Sequence, residues 1–296
     1  MNFLHKSIAF LLFTLTRLSG QLPLKLLYFK ASFLRFCASR IFHYRSDVIV
    51  QNLARSFPER NYKEIKKLVN QFYVHFFDVF TEVIKSQGLT SEEAKKRFKV
   101  ENPEMINDYH SRGLNVIALA GHHGNWEWGI MLPLYFGFSI YTLYKPLSNK
   151  ITEILMNKIR GKFGMKLLSM GKAGRFILSK KDYPALYIFI GDQSPNHKDP
   201  DYCFHFLHQP SLLFNGGAKL ARATGSVVVY LSITKVKRGY YTAQFIPISE
   251  PQEQKSEREI LSTYAALLEN DIRRQPAYYL WSHKRWKNKP EPKRDV

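Results

Sequence analysis

Five short apolar runs, separated by stretches of helical period, constrain this chain more than any other feature. Asn115–Ala120 (NVIALA), Ser139–Tyr144 (SIYTLY), Ala185–Ile190 (ALYIFI), Ser226–Thr234 (SVVVYLSIT) and Tyr240–Ile246 (YYTAQFI) are rich in β-branched and aromatic residues and too short for helices. Helical stretches lie between them at 150–163 and 212–224, and a last helix covers Ser256–Arg274. Strands alternating with helices predict an α/β sheet. From Asp47 to about Arg97 the pattern is helical, with a break at Pro58 and a capped start near Asn61. Phe72, Phe76, Phe77, Phe80, Val83 and Ile84 form an apolar face expected to be core, Ser91-Glu92-Glu93 opens another helix, and Asn102-Pro103 ends the region. No repeat, low-complexity linker or composition shift divides the chain. One domain over 46–296 with a helical extension over 1–45 is therefore expected.

A chain of 296 residues that is 45% hydrophobic and 15% aromatic is too apolar for disorder. Cys37 and Cys203 are too few and too far apart to staple it, and both are read as reduced. The net charge of +20 is unevenly spread. Residues 1–50 hold 7 basic and 1 acidic side chains, 110–200 hold 12 and 5, and 273–296 hold 8 and 2, whereas 51–109 (10 and 9) and 201–272 (7 and 7) are balanced. Such clustering points to an anionic partner: nucleic acid, an anionic membrane surface, a phosphorylated lipid or an acidic carrier protein.

Residues 3–34 contain no acid and are the most apolar part of the chain. Only ten residues between Lys6 and Arg17 are uncharged, about half of the roughly 20 that cross a bilayer core. Leu4, Ile8, Leu11, Leu12, Leu15 and Leu18 recur at helical spacing, and Arg17, Lys25, Lys30, Arg35 and Arg40 can reach headgroups from the flanks. The segment is expected to lie at a membrane interface. Gln21, Pro23 and Lys25 follow the apolar run without a small-residue cleavage site, which argues against a secretory signal.

NVIALA runs straight into Gly121-His122-His123-Gly124-Asn125-Trp126-Glu127-Trp128. The carboxyl end of a strand entering a turn and helix is where ligands gather in α/β proteins. His122 and Glu127 are about 500° apart on a regular helix, so they meet only if His122 sits in a turn permitted by Gly121 and Gly124, with Asn125 capping the helix that carries Glu127. In that arrangement the carboxylate fixes the imidazole tautomer and the other ring nitrogen takes a proton from a hydroxyl. His123, four before Glu127, competes as its partner, and His122, His123 and Glu127 can also be read as metal ligands. There is no HExxH, and His197, His205 and His208 lack a ligand spacing.

The pattern His-x-x-x-x-Glu in GHHGNWEWG resembles the signature of the lysophospholipid acyltransferase superfamily, in particular its late lipid A (lauroyl/myristoyl) acyltransferase branch. Asn52, Leu53, Phe57 and Pro58 are similar to that branch's Asn-Leu-x-x-x-Phe-Pro, and Tyr144-Lys145-Pro146 with Asn149 to its Tyr-Arg-Pro-x-x-Asn, Lys145 replacing an arginine. Arg160-Gly161, Gly191-Asp192-Gln193 and the tail Tyr279–Lys287 (YLWSHKRWK) resemble further elements in the same order.

The resemblance implies a mixed sheet flanked by helices, as in glycerolipid acyltransferases, with an N-terminal anchoring extension at the cytoplasmic face of a bacterial inner membrane. It implies transfer of an acyl chain from acyl carrier protein or coenzyme A to a hydroxyl of a lipid acceptor, most readily a lipid A precursor, with no cofactor and no metal. His122 is then the base and Glu127 its partner. Arg160 stabilises the developing oxyanion, and Lys145, Asn149, Asp192 and Gln193 bind substrate. Residues 145–181, with ten basic side chains and the single acid Glu153, are expected to meet the acceptor headgroup or the donor, and the N-terminus and the aromatic, basic tail to face anionic lipid. Lysophospholipid and aminolipid acceptors, and a basic nucleic-acid-binding module, stand as alternatives; nucleic acid is not the expected partner.

Overall fold

In the computed structural model, which describes residues 3–179, 182–196 and 198–288, the chain opens with α1 (Phe3–Gln21) and α2 (Leu24–Phe36). Pro23 separates them, and their axes bend by 119°. Among the described residues no single helix is long and apolar enough to cross a membrane, although the bent pair passes by length and composition. Leu11, Leu15 and Leu18 of α1 and Phe29, Phe33 and Phe36 of α2 are exposed. A π turn (Cys37–Ile41) leads to α3 (Ser46–Ser56), then α4 (Tyr62–Ser86) and α5 (Ser91–Arg97). Capping boxes start the last two: Asn61 with Glu64, and Thr90 with Glu93. The Lys85 ammonium donates to the Gly20 and Leu22 carbonyls at 2.9 and 3.1 Å, satisfying the end of α1 on α4.

The apolar face expected on α4 is only partly the buried one. Phe72 and Val83 are core, but Phe80 is 55% exposed, and His75, Asp78 and Glu82 take buried places. Polar side chains on that face are satisfied by partners on other elements, among them Lys235, Arg238, Tyr28, Asn125 and Tyr241, which an apolar-period reading does not see.

Next come β1 (Phe98–Val100) and α6 (Pro103–Ser111). Asn102-Pro103 therefore opens a helix, where a proline wastes no donor, and Asn102 exchanges two hydrogen bonds with the Phe245 backbone. The remaining elements are β2 (Val116–Ala120), a 3-10 helix (Trp126–Tyr135), β3 (Ile140–Tyr144), α7 (Lys150–Arg160), β4 (Lys166–Ser169), α8 (Met170–Leu178) and β5 (Leu186–Ile190). A hairpin of β6 (Cys203–Phe206) and β7 (Gln209–Leu212) precedes α9 (Gly216–Thr224), β8 (Val227–Lys237), β9 (Tyr240–Ser249) and α10 (Glu257–Arg274). Cys37 and Cys203 are free thiols.

Among the described residues seven strands form one mixed sheet in the order β1-β9-β8-β2-β5-β3-β4, with only β8 and β9 antiparallel to each other. All five expected strands are in it. Every residue of β2 is buried, Ile117 and Leu119 facing one core layer with α3, α4, α9 and α10, and Val116, Ala118 and Ala120 the other. Burial on both faces explains the unbroken apolar run. β2 lies between parallel β5 and β8, with Ala120 level with Ile190 and Leu231, so the loops leaving β2 and β5 emerge side by side.

Candidate active site

The turn after β2 is built by its glycines. Gly124 has φ +60°, and a Cβ there would lie 2.4 Å from the Ile233 carbonyl oxygen. Its N–H donates to the Tyr278 carbonyl at 3.0 Å, and Leu280 N–H donates to the His122 carbonyl at 3.1 Å, so the tail is zipped along the turn. Gly124→Ala is expected to lower the thermal midpoint, because left-handed backbone alone costs a side chain about 1–2 kcal/mol and the contact adds to it. A variant melting with the native protein contradicts this geometry.

His122 leaves the turn toward the β5 loop. Its Nδ1 lies 2.6 Å from Asp192 Oδ1, and Gln193 Nε2 donates to its Nε2 at 3.3 Å. Glu127 is held elsewhere: Arg160 donates to both of its carboxylate oxygens, from Nε at 3.0 Å and Nη2 at 2.6 Å. The expected His122–Glu127 hydrogen bond is thus replaced by His122–Asp192 and Glu127–Arg160. The reason is twofold. Asn125 does cap the following helix, accepting from Trp128 N–H, but that helix is 3-10 and brings Glu127 to the end of α7, where Arg160 offers a bidentate fork. Asp192, 2% exposed, needs a donor that the adjacent parallel strand supplies. Burial raises the Asp192 carboxyl, but the charges of His122 and Arg285 and the hydrogen bond from His122 outweigh that and hold it at about 2. In Arg160, burial opposes the charge and the Glu127 carboxylate more than restores it.

Of these groups, His122, Gln193, Glu127 and Arg160 line a cavity of about 660 Å³ whose wall also includes Ile130, Met165, Ile188, Ile190, Leu231 and Ile233, while Asp192 lies outside that wall. Lys145 lines it too, whereas Asn149 lies outside its wall and caps α7, accepting from Thr152 N–H at 3.0 Å. His123 turns away: it is buried between the Ile233 and Gln275 carbonyls, each 3.2 Å from a ring nitrogen, and burial lowers its proton affinity. His205 and His208 sit on the β6–β7 hairpin, His197 lies outside the described residues, and no group of three metal-ligating side chains is assembled among the described residues.

The tail does not present its aromatic rings outward as expected. Trp281 is fully buried against Phe57 and donates to the Pro276 carbonyl, and Trp286 donates to Ser211 Oγ at 2.7 Å. Asn52 donates to the Trp281 and His283 carbonyls at 2.8 and 2.9 Å, so the Asn52–Pro58 and tail motifs pack together. His283 and Lys287 line the cavity, a placement the sequence reading missed although the tail motif contained both. His283 Nε2 accepts from Ser194 N–H at 3.3 Å, and burial lowers its imidazole to about 4, consistent with a neutral acceptor. Residues from Lys289 onward, and Lys180 and Lys181 of the basic stretch, lie outside the described residues.

The family described as bacterial lipid A biosynthesis acyltransferase matches residues 1–288. The lipid A biosynthesis palmitoleoyltransferase of Escherichia coli is 21% identical over 272 residues, 91% of this chain and 88% of that protein. The lipid A biosynthesis acyltransferase of Shigella flexneri matches with the same identity and coverage. Among solved structures, the 1-acyl-sn-glycerophosphate acyltransferase PlsC from Thermotoga maritima aligns with a TM-score of 0.39 and 15% identity, covering 87% of this chain and 99% of that one, a likeness too distant to carry an argument.

Proposed function

The chain belongs to the bacterial lipid A biosynthesis acyltransferase family and is an acyltransferase, and on that premise we propose that it moves an acyl chain from a thioester to a hydroxyl of a lipid A precursor, with His122 as base and Asp192 as the partner of His122. The observation that carries this reading is the 2.6 Å contact of Asp192 with His122, which lines the cavity. With its Nδ1–H donated to Asp192, the imidazole turns Nε2 toward the acceptor's proton, in the place where Gln193 donates. The alkoxide attacks the thioester carbonyl and the C–S bond breaks. The thiolate leaves with the proton returned by His122. Arg160, fixed by Glu127, is the cation beside the developing oxyanion, so Glu127 acts through Arg160.

The apolar wall suits an acyl chain, and Lys145, Arg160 and Lys287 suit a phosphorylated headgroup or the phosphate of an acyl carrier's arm. The exposed apolar residues of α1 and α2, beside Lys25, Lys30 and Arg40, support attachment at the cytoplasmic face of the inner membrane. Each such side chain contributes about 1.5–3 kcal/mol when buried in lipid. Phe29→Ser with Phe33→Ser is therefore expected to weaken binding to anionic vesicles at least about tenfold. Co-sedimentation at native levels would reject the surface.

Purified protein supplied with acyl carrier protein and coenzyme A thioesters, and with a lipid A precursor or lysophospholipids, tests the substrates by mass spectrometry. An acylated lipid A precursor is the expected product. Exclusive acylation of lysophospholipid would overturn the acceptor assignment.

A further inference from the structure

Beneath the His122 turn lies a buried polar network that the reaction as described does not use. Glu82 of α4 is completely buried, yet its carboxylate gathers donors from three elements: Tyr28 OH of α2 at 2.6 Å, Asn125 Nδ2 of the turn at 2.6 Å and Tyr241 OH of β9 at 2.8 Å. Trp128 Nε1 donates to its backbone carbonyl at 2.9 Å. One face of α4 supplies the neighbours as well, since residues seven apart on a helix lie above one another. His75 Nε2–H donates to the Gly124 carbonyl at 2.9 Å, and its Nδ1 accepts from Lys235 at 3.3 Å. Asp78 holds Arg238 with both oxygens, and the Arg238 guanidinium lies 3.8 Å from the Tyr28 ring centre.

Two consecutive residues of the turn are thus tied to α4, Gly124 by His75 and Asn125 by Glu82, and Glu82 is shared with the helix whose outer side is the exposed apolar surface of Phe29 and Phe33. A buried carboxylate is a costly way to fill space, and an apolar side chain there would pack without desolvating a charge. What the carboxylate supplies is direction. It holds three donors at fixed distances, and one of them, Asn125, caps the 3-10 helix that carries Glu127.

We infer that Glu82 is a positioning residue that couples the seating of α2 to the geometry of the His122–Glu127 turn, so that the lipid-facing arm sets the turnover rate through one shared carboxylate. This inference rests on the reading of His122 as the base.

The test is a double-mutant cycle in kcat for acyl transfer by the full chain in vesicles containing the lipid acceptor. Tyr28→Phe removes only the phenol oxygen. Asn125→Ser keeps an oxygen to cap Trp128 N–H but is too short to reach Glu82. Each single change is expected to lower kcat on the order of tenfold with KM within about twofold, as loss of a hydrogen bond to a charged group implies. The double variant is expected to fall no further than the slower single, because both act through Glu82. Multiplicative losses, or a native kcat in Tyr28→Phe, overturn the coupling. Should Asn125→Ser fail to fold, Glu82→Gln takes its place in the cycle with the same criterion. His122→Ala is run alongside. If it turns over normally, the base assignment falls and this inference with it; if it is inactive while the cycle is multiplicative, only the inference falls.

Discussion

His122→Ala is expected to lower kcat for acyl transfer by roughly a hundredfold to ten-thousandfold, the range that removal of a positioned general base produces. KM is expected to change little, because the apolar wall of the cavity and its lysines are untouched. Structure supports a clean reading of the result. The backbone of His122 is fixed by Leu280 N–H, and its side chain is only part-buried, so truncation leaves the turn in place. A native rate in this variant, with the fold intact, would remove His122 from the chemistry.

Asp192→Asn is expected to cost on the order of a thousandfold in kcat while preserving the shape of the site. The amide carries no charge to stabilise the imidazolium, and its NH2 group can turn toward Nδ1 and drive the proton to Nε2, where it blocks the base. Stability supplies an independent check. Asp192 is held at about 2 when folded, against an ordinary value of ~3.9 in the unfolded chain. A depressed carboxyl adds stability that is present above ~3.9 and is lost as the pH falls through about 2. The native protein is therefore expected to be more stable than Asp192→Asn at neutral pH, with the advantage shrinking below pH 4. Equal melting curves at neutral pH would contradict the paired, ionised carboxylate. Glu127→Gln acts on a different group: it loosens Arg160 and leaves Asp192 in place.

Much of this was legible from local pattern. The runs NVIALA and ALYIFI gave β2 and β5 because strands buried on both faces must be apolar throughout. The glycines flanking the two histidines announced a sharp turn, and Asn125 announced its cap. What stayed hidden depends on distance along the chain. The partner of His122 lies 70 residues away, and the sequence points to it only as a substrate-binding residue, because no spacing relates a loop after one strand to a loop after its neighbour until the sheet order is known. Helical arithmetic showed that His122 and Glu127 need a turn to meet, but not that Arg160, 33 residues on, would take the carboxylate instead. The four short strands β1, β4, β6 and β7 carry three or four residues each and no distinct apolar run. His75, Asp78 and Glu82 were concealed within an apolar helix for the opposite reason, since their burial is made tolerable by partners on other elements. The tail's mixture of tryptophan and lysine suggests a lipid surface, but Trp281 is consumed against Phe57 and the Pro276 carbonyl and Trp286 on Ser211, while backbone bonds at Tyr278 and Leu280 hold the tail along the turn.

The central claim is that His122 donates its Nδ1 proton to Asp192 and keeps Nε2 for the acceptor. Proton NMR of the ring N–H protons, with the histidines labelled with nitrogen-15, measures this most directly. The account predicts a downfield His122 Nδ1–H resonance in the native protein, retained in Glu127→Gln and lost in Asp192→Asn. A resonance that survives in Asp192→Asn and disappears in Glu127→Gln would contradict it.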